Sequence, residues 1–134
     1  SHVVAALIRK FLIAKTQNLP SVTCWGSGLV LREFMHVDDL AEAVVFSFNA
    51  NLKEPTYNVG SGEEIKIKEL ATIIKNIVGF DGEIIWDVNK PNGTPRKLMD
   101  SSKFFSYGYK PKISLEYGLK KTYEYYLQSI NHDK

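Results

Sequence analysis

The chain has 134 residues, 44% hydrophobic and 24% charged, with 17 Lys plus Arg against 15 Asp plus Glu. That length supports one unit with its own core, and a net charge of +2 is too small for bulk attraction to nucleic acid or an acidic membrane surface, so any anion site must be local. Cys24 is the only cysteine, which excludes an internal disulfide framework or a cysteine-based zinc site and fits a cytoplasmic location. No run approaches the ~20 apolar residues that span a bilayer.

Residues 3–15 carry Val4, Leu7, Ile8, Phe11 and Leu12 at helical spacing, which predicts a first helix, ended by Asn18-Leu19-Pro20. A helical pattern with no Met and no leader at the start reads as a domain taken from a longer chain. Residues 21–25 alternate as a strand closed by the turn Gly26-Ser27-Gly28, and residues 29–36 form a second extended segment. Asp38 or Asp39 is positioned to cap a helix running to Asn49, with Leu40, Ala43, Val44 and Phe48 as its buried face.

Pro55 breaks the chain, residues 56–59 read as a brief strand, and Gly60-Ser61-Gly62 as a loop. Ile67, Leu70, Ile73, Ile74, Ile77 and Val78 predict the next helix, with Gly79 as its stop. Lys66 stands at its start and cannot accept the orphan backbone donors, so this helix needs some other cap. Residues 83–87 alternate as a strand and residues 88–96 form a polar loop. A short helix is expected over 101–107 and a connection over 108–113. Ser114 caps a last helix whose face is Leu115, Leu119, Tyr123, Tyr126 and Ile130. The expectation is one unit over 1–130 and a fraying tail over 131–134. Helices between short strands imply an α/β fold with a small or incomplete mixed sheet.

R-E-F-M-H-V-D-D-L-A-E-A at 32–43, Y-N-V-G-S-G at 57–62 and the amphipathic helix with Glu69-Leu70 together resemble the C-terminal portion of extended short-chain dehydrogenases/reductases. S-H-V at the start, W-G-S-G at 25–28 and K-P-N-G-T-P-R-K-L-M-D at 90–100 resemble, within that superfamily, the GDP-L-fucose synthase family. The resemblance covers nearly the whole chain and fades after Ile130. It implies a small mixed α/β substrate-binding domain without its N-terminal Rossmann half. In that family the N-terminal half supplies the glycine-rich NADPH-binding turn and the Y-x-x-x-K pair. The implied partners are a GDP-sugar, that Rossmann half and a second subunit of a homodimer, with no nucleic acid and no membrane. A GDP-colitose-forming or other nucleotide-sugar epimerase, reductase or dehydratase is the neighbouring alternative. A nucleic-acid-binding module using Arg96 and Lys97 is the competing class.

Arg32 is the leading binding candidate, because a guanidinium offers a planar fork of donors to a diphosphate and stays charged at any working pH. Family resemblance also assigns Lys97 to the pyrophosphate, with Arg96 beside it. Trp25 either contacts the nucleotide sugar, as the resemblance implies, or fills core. Asn92 either reads a base edge or ribose or serves its turn. Lys10 stands where relatives carry arginine in the sugar-nucleotide site, without the fork. By resemblance, His2 is the acid in epimerisation and lies beside the cofactor, opposite a cysteine from the other half that is not Cys24.

His36 and Asp39 read as structural residues, through hydrogen bonding and helix capping. His132 lies in the tail. Tyr117 and Lys121 fit Y-x-x-x-K by chance, on a C-terminal helix that is wrong for the role. Neither Gly-Ser-Gly turn has the spacing of a dinucleotide fingerprint. Three scattered histidines and one cysteine give no metal-ligand spacing.

Overall fold

A computed structural model describes residues 2–93, 96–97 and 100–132, the side chains of His2, Arg96, Lys97 and His132 excepted. The chain runs α1 (His2–Thr16), β1 (Ser21–Trp25), β2 (Leu31–Glu33), α2 (Val37–Asn49), β3 (Glu64–Lys66), α3 (Ile67–Val78), β4 (Glu83–Asp87), β5 (Arg96–Lys97), α4 (Ser102–Phe105) and α5 (Leu115–His132). The architecture is the mixed α/β one expected, with small sheets. β1 pairs in parallel with β4, and β2 lies between antiparallel β3 and parallel β5.

The main core forms where α1, α3 and α5 close over β1 and β4. Val22 and Cys24 point inward from β1 while Thr23 and Trp25 face out, the period-two alternation of a half-buried strand. Ile8, Phe11, Leu70 and Ile74 are sealed at its centre. Gly79 ends α3 in the left-handed conformation, φ 81°, and Lys15 Nζ donates to the Val78 carbonyl at 2.9 Å, placing a cation on the negative end of that helix. Lys66 gives α3 no side-chain cap. The turn before β2 replaces it: the amides of Ile67 and Lys68 donate to the carbonyls of Val30 and Gly28.

A second cluster gathers Ala43, Phe104 and Tyr109, with Phe46 and Tyr57 packed in edge-on and tilted ring pairs. Asp39 locks it. Rather than capping α2, its buried carboxylate accepts from the amides of Lys112 and Ile113, both at 3.0 Å, and Tyr109 donates its hydroxyl to the Asp39 carbonyl at 2.7 Å. The capping residue is His36, whose Nδ1 accepts from the Asp38 amide at 3.1 Å. An imidazole can cap because all the position requires is a short acceptor beside the second amide of the helix.

Two expectations fail. Residues 56–59 alternate in exposure as a strand would but form no ladder, because no strand lies beside them among the described residues. The face predicted for α2 is also wrong. Ala43 is buried, yet Leu40 is 47%, Val44 50% and Phe48 83% exposed, and Val37 and Val45 stand out beside them. α2 turns Asp39 and Ala43 inward and presents an apolar stripe to the outside. The last helix runs through His132, and the rest of the expected tail over 131–134 lies outside the described residues.

Candidate functional site

The expected binding residues gather where β1 ends. Trp25 is the last residue of β1, and Gly26 follows at φ 85°, so the chain turns away immediately after the indole. Trp25 is 63% exposed, which removes the core-filling reading. Across the sheet it pairs with Asp87, whose carbonyl accepts from the Gly26 amide at 2.9 Å and the Lys90 amide at 3.1 Å. One oxygen therefore ties the Trp25 corner to the turn that opens the polar loop. At the far end of that loop, Asn92 Oδ1 accepts from the Ser27 amide at 2.6 Å and the Ser27 hydroxyl at 3.2 Å. A Cβ on Gly26 would strike that same oxygen. The carbonyl side of Asn92 thus holds two loops together.

Arg32 sits on the middle strand of the three, not on an edge. Its Nη1 donates to the Leu31 carbonyl at 2.7 Å, and a Cβ on Gly93 would stand 3.4 Å from its Nη2, so the loop backbone passes beside the guanidinium. Lys97 is the register partner of Arg32 across the parallel β2–β5 pair, which places two cationic residues at one level of the sheet. Lys10 Nζ donates to the Thr23 carbonyl at 3.2 Å, two residues before Trp25 on β1. The catalytic and cofactor roles expected of His2 lie outside the described side chains, as does the side chain of Arg96.

Sequence reasoning missed Lys90 and Ser27 at the Trp25 corner, and Glu33 on the neighbouring strand. Lys90 Nζ lies over the Trp25 ring, 5.5 Å from its centroid. Its place at the head of K-P-N-G, two residues before Asn92, was the available signal. Ser27 supplies the donors that Asn92 takes. Glu33, beside Arg32 on β2, accepts from the Gly62 amide at 2.9 Å and pins the Gly60-Ser61-Gly62 loop.

Lys90 lies over the exposed Trp25 indole, Lys10 reaches the Thr23 carbonyl on the same strand, and the loop that carries Lys90 passes Arg32, a combination of ring and cations suited to an aromatic ligand carrying an anionic group. No histidine stands among the described side chains there. Burial pushes the Cys24 thiol up, more than the nearby Lys10 ammonium pulls it down. Tyr117 and Lys121 stack on the exposed side of α5, with Lys121 paired to Glu124. Neither Gly-Ser-Gly turn opens directly into a helix; β2 and β3 follow them. Among the described residues no His, Cys, Asp and Glu group could hold a metal, and no helix is long and apolar enough to cross a membrane.

Residues 1–60 match the model of the NAD dependent epimerase/dehydratase family, and in fold the chain is similar to the extended short-chain dehydrogenases/reductases. The likeness narrows further. GDP-L-fucose synthase 1 of Arabidopsis thaliana is 52% identical over 130 residues, a match covering 97% of this chain and 40% of that protein. A GDP-L-fucose synthetase from Naegleria fowleri, solved bound to NADP, superposes with a TM-score of 0.87 at 25% identity, over 98% of this chain and 41% of that one. The GDP-mannoheptose C4 reductase of Campylobacter jejuni, solved with NADP bound, gives a TM-score of 0.83 at 39% identity, over 93% of this chain and 44% of that one. The resemblance to GDP-L-fucose synthases thus holds along nearly the whole chain, which spans about two fifths of the length of the curated relatives it matches.

Proposed function

We propose that this chain is the GDP-sugar-binding portion of an NADPH-dependent epimerase/reductase that converts GDP-4-keto-6-deoxy-D-mannose to GDP-L-fucose. The observation that supports the reading most is that the loop carrying Asn92 is fastened to the turn after Trp25 and passes beside Arg32, whose strand pairs with the Lys97 position. Arg32 and Lys97 neutralise the diphosphate, Trp25 offers its exposed indole to the nucleotide sugar, and Lys10 adds a positive charge at the β1 edge. Asn92 holds the loop against the Trp25 corner. His2 delivers a proton during epimerisation. NADPH supplies the hydride for ketone reduction and is held by the N-terminal Rossmann half.

Two features support a partner covering this chain. The α2 stripe of Val37, Leu40, Val44, Val45 and Phe48 leaves a contiguous apolar face open. It continues into a groove of about 420 Å³ bordered by Val4, Ile113 and Leu119. Residues 56–59 run extended near the same helix, Tyr57 and Val59 lining a hollow with Leu40 and Val44. Helix and extended segment are the parts that a neighbouring sheet layer would complete. We assign that layer to the Rossmann half, the whole enzyme being a cytoplasmic homodimer.

The test is NADPH consumption by the full-length protein with GDP-4-keto-6-deoxy-D-mannose, alongside the isolated 134 residues, which should be inactive. A second reading, reduction of a different GDP-4-keto sugar, is favoured by the likeness to the heptose reductase. A panel of GDP-linked and UDP-linked keto sugars separates the two.

A further inference from the structure

Lys90 is held in place by its backbone, while its ammonium rests on the Trp25 ring. Its amide donates to the Asp87 carbonyl at 3.1 Å, the same oxygen that takes the Gly26 amide. Two residues on, the Asn92–Ser27 latch closes the loop at 2.6 Å. Between these two fixed points the lysine side chain reaches back over Trp25, with Nζ 5.5 Å from the ring centroid. No carboxylate pairs with it among the described ion pairs. The ammonium therefore rests on the indole face, a weak attraction at an exposed site. Further along the loop, Gly93 passes beside the Arg32 guanidinium, so the same loop that carries Lys90 also runs past a second cation.

Resting on the reading that this site takes a nucleoside-diphosphate sugar, we propose that Lys90 is a specificity-determining residue whose ammonium moves from the Trp25 face to the diphosphate when the ligand binds. The physical argument is an exchange of partners. A cation over an exposed ring gives up little when it leaves, whereas an ammonium facing an ionised phosphate makes charge-assisted hydrogen bonds about twice as strong as neutral ones. The bonds that fix the loop, from the Lys90 amide to Asp87 and from Ser27 to Asn92, do not involve the Lys90 ammonium, so the exchange breaks neither of them. The exchange frees one indole face for the ligand's own ring as the charge reaches its anionic group. Lys90 thus rewards ligands that carry both an aromatic base and a diphosphate over uncharged nucleosides.

The experiment is calorimetric titration of the full-length protein with GDP and with guanosine, for wild type, Lys90→Met and Lys90→Arg. Met keeps the stem and removes the charge; Arg keeps the charge. The expected result is a GDP affinity roughly fivefold weaker in Lys90→Met, guanosine affinity unchanged within about twofold, and Lys90→Arg close to wild type, the size of one exposed charge contact. Wild-type affinity for GDP in Lys90→Met, or an equal loss for GDP and guanosine, overturns the proposal while leaving the GDP site in place. A wild-type protein that binds no GDP overturns the functional reading itself, and this proposal with it.

Discussion

Ser27 and Asn92 stand 65 residues apart in the chain, and the amide of one meets the side-chain oxygen of the other at 2.6 Å. That bond fastens the K-P-N-G loop to the W-G-S-G turn, and the two most distinctive motifs of the sequence become a single surface. Removing it should loosen the site without unfolding the protein. Asn92→Ala is expected to weaken GDP binding by the full-length protein about fivefold, the effect of one hydrogen bond of ordinary strength. Asn92→Asp retains an acceptor for the Ser27 amide and should bind closer to wild type than the alanine variant. Equal affinities for both variants would show that the latch is irrelevant to binding.

Arg32 should resist conservative replacement. Lysine brings the charge but not the fork, and only the fork can hold the Leu31 carbonyl and a phosphate together. We expect Arg32→Lys to lose about tenfold and Arg32→Ala up to about a hundredfold in GDP affinity, in line with charged hydrogen bonds of ~1.5–3 kcal/mol. Calorimetry reads both, and a lysine variant equal to wild type would reduce Arg32 to a point charge.

Asp39 is the residue on which the second core cluster depends. Its buried carboxylate holds the amides of Lys112 and Ile113, so Asp39→Ala strands two donors. Urea denaturation should show a loss of about 2–4 kcal/mol. A loss under about 1 kcal/mol would mean that water satisfies those amides readily.

Cys24 carries a pH signature. Burial raises its thiol above the usual 9.0, so the fold favours the neutral form. Its contribution is fully present below the unfolded value and falls as pH rises through that value toward the folded one. Native protein should therefore react slowly with a thiol reagent at neutral pH and rapidly in denaturant, and Cys24→Ala should flatten the decline in stability above about pH 9.0. Fast native labelling would contradict the burial.

The apolar stripe on α2 makes a prediction of opposite sign in two contexts. Phe48, 83% exposed, should be better replaced by serine in the isolated chain, whose solubility rises. In the full-length protein the proposed cover by a Rossmann half predicts that Phe48→Ser destabilises. Improvement in both contexts would remove α2 from that seam.

The contrast between α2 and α3 explains what was legible in the sequence. α3 buries one side in its own chain, so the spacing of Leu70, Ile74 and Val78 identified its inward face directly. α2 is apolar on more than one side, and periodicity cannot tell a face buried within the chain from one left for a partner. That is why Leu40, Val44 and Phe48 were misassigned while Asp39, the residue that points inward, was read as a cap. Residues 56–59 were misread for a related reason: strand propensity is local, but a ladder needs a neighbour.

At the site, Trp25 and Arg32 could be singled out from residue type and motif, and Asn92 from its loop. Asn92's actual bond to Ser27 could not be read, because it joins positions 65 apart. For Lys90 the motif K-P-N-G marks the position, but its contact with Trp25 joins residues 25 and 90 and is set only once the loop is folded back over the ring.

The most direct test of the central claim is NADPH oxidation by the full-length protein with GDP-4-keto-6-deoxy-D-mannose, in wild type and Arg32→Ala. The account predicts turnover to GDP-L-fucose in wild type, with kcat/KM reduced roughly a hundredfold in the variant through loss of diphosphate binding. Absence of turnover in wild type, or turnover that Arg32→Ala leaves unchanged, would contradict it.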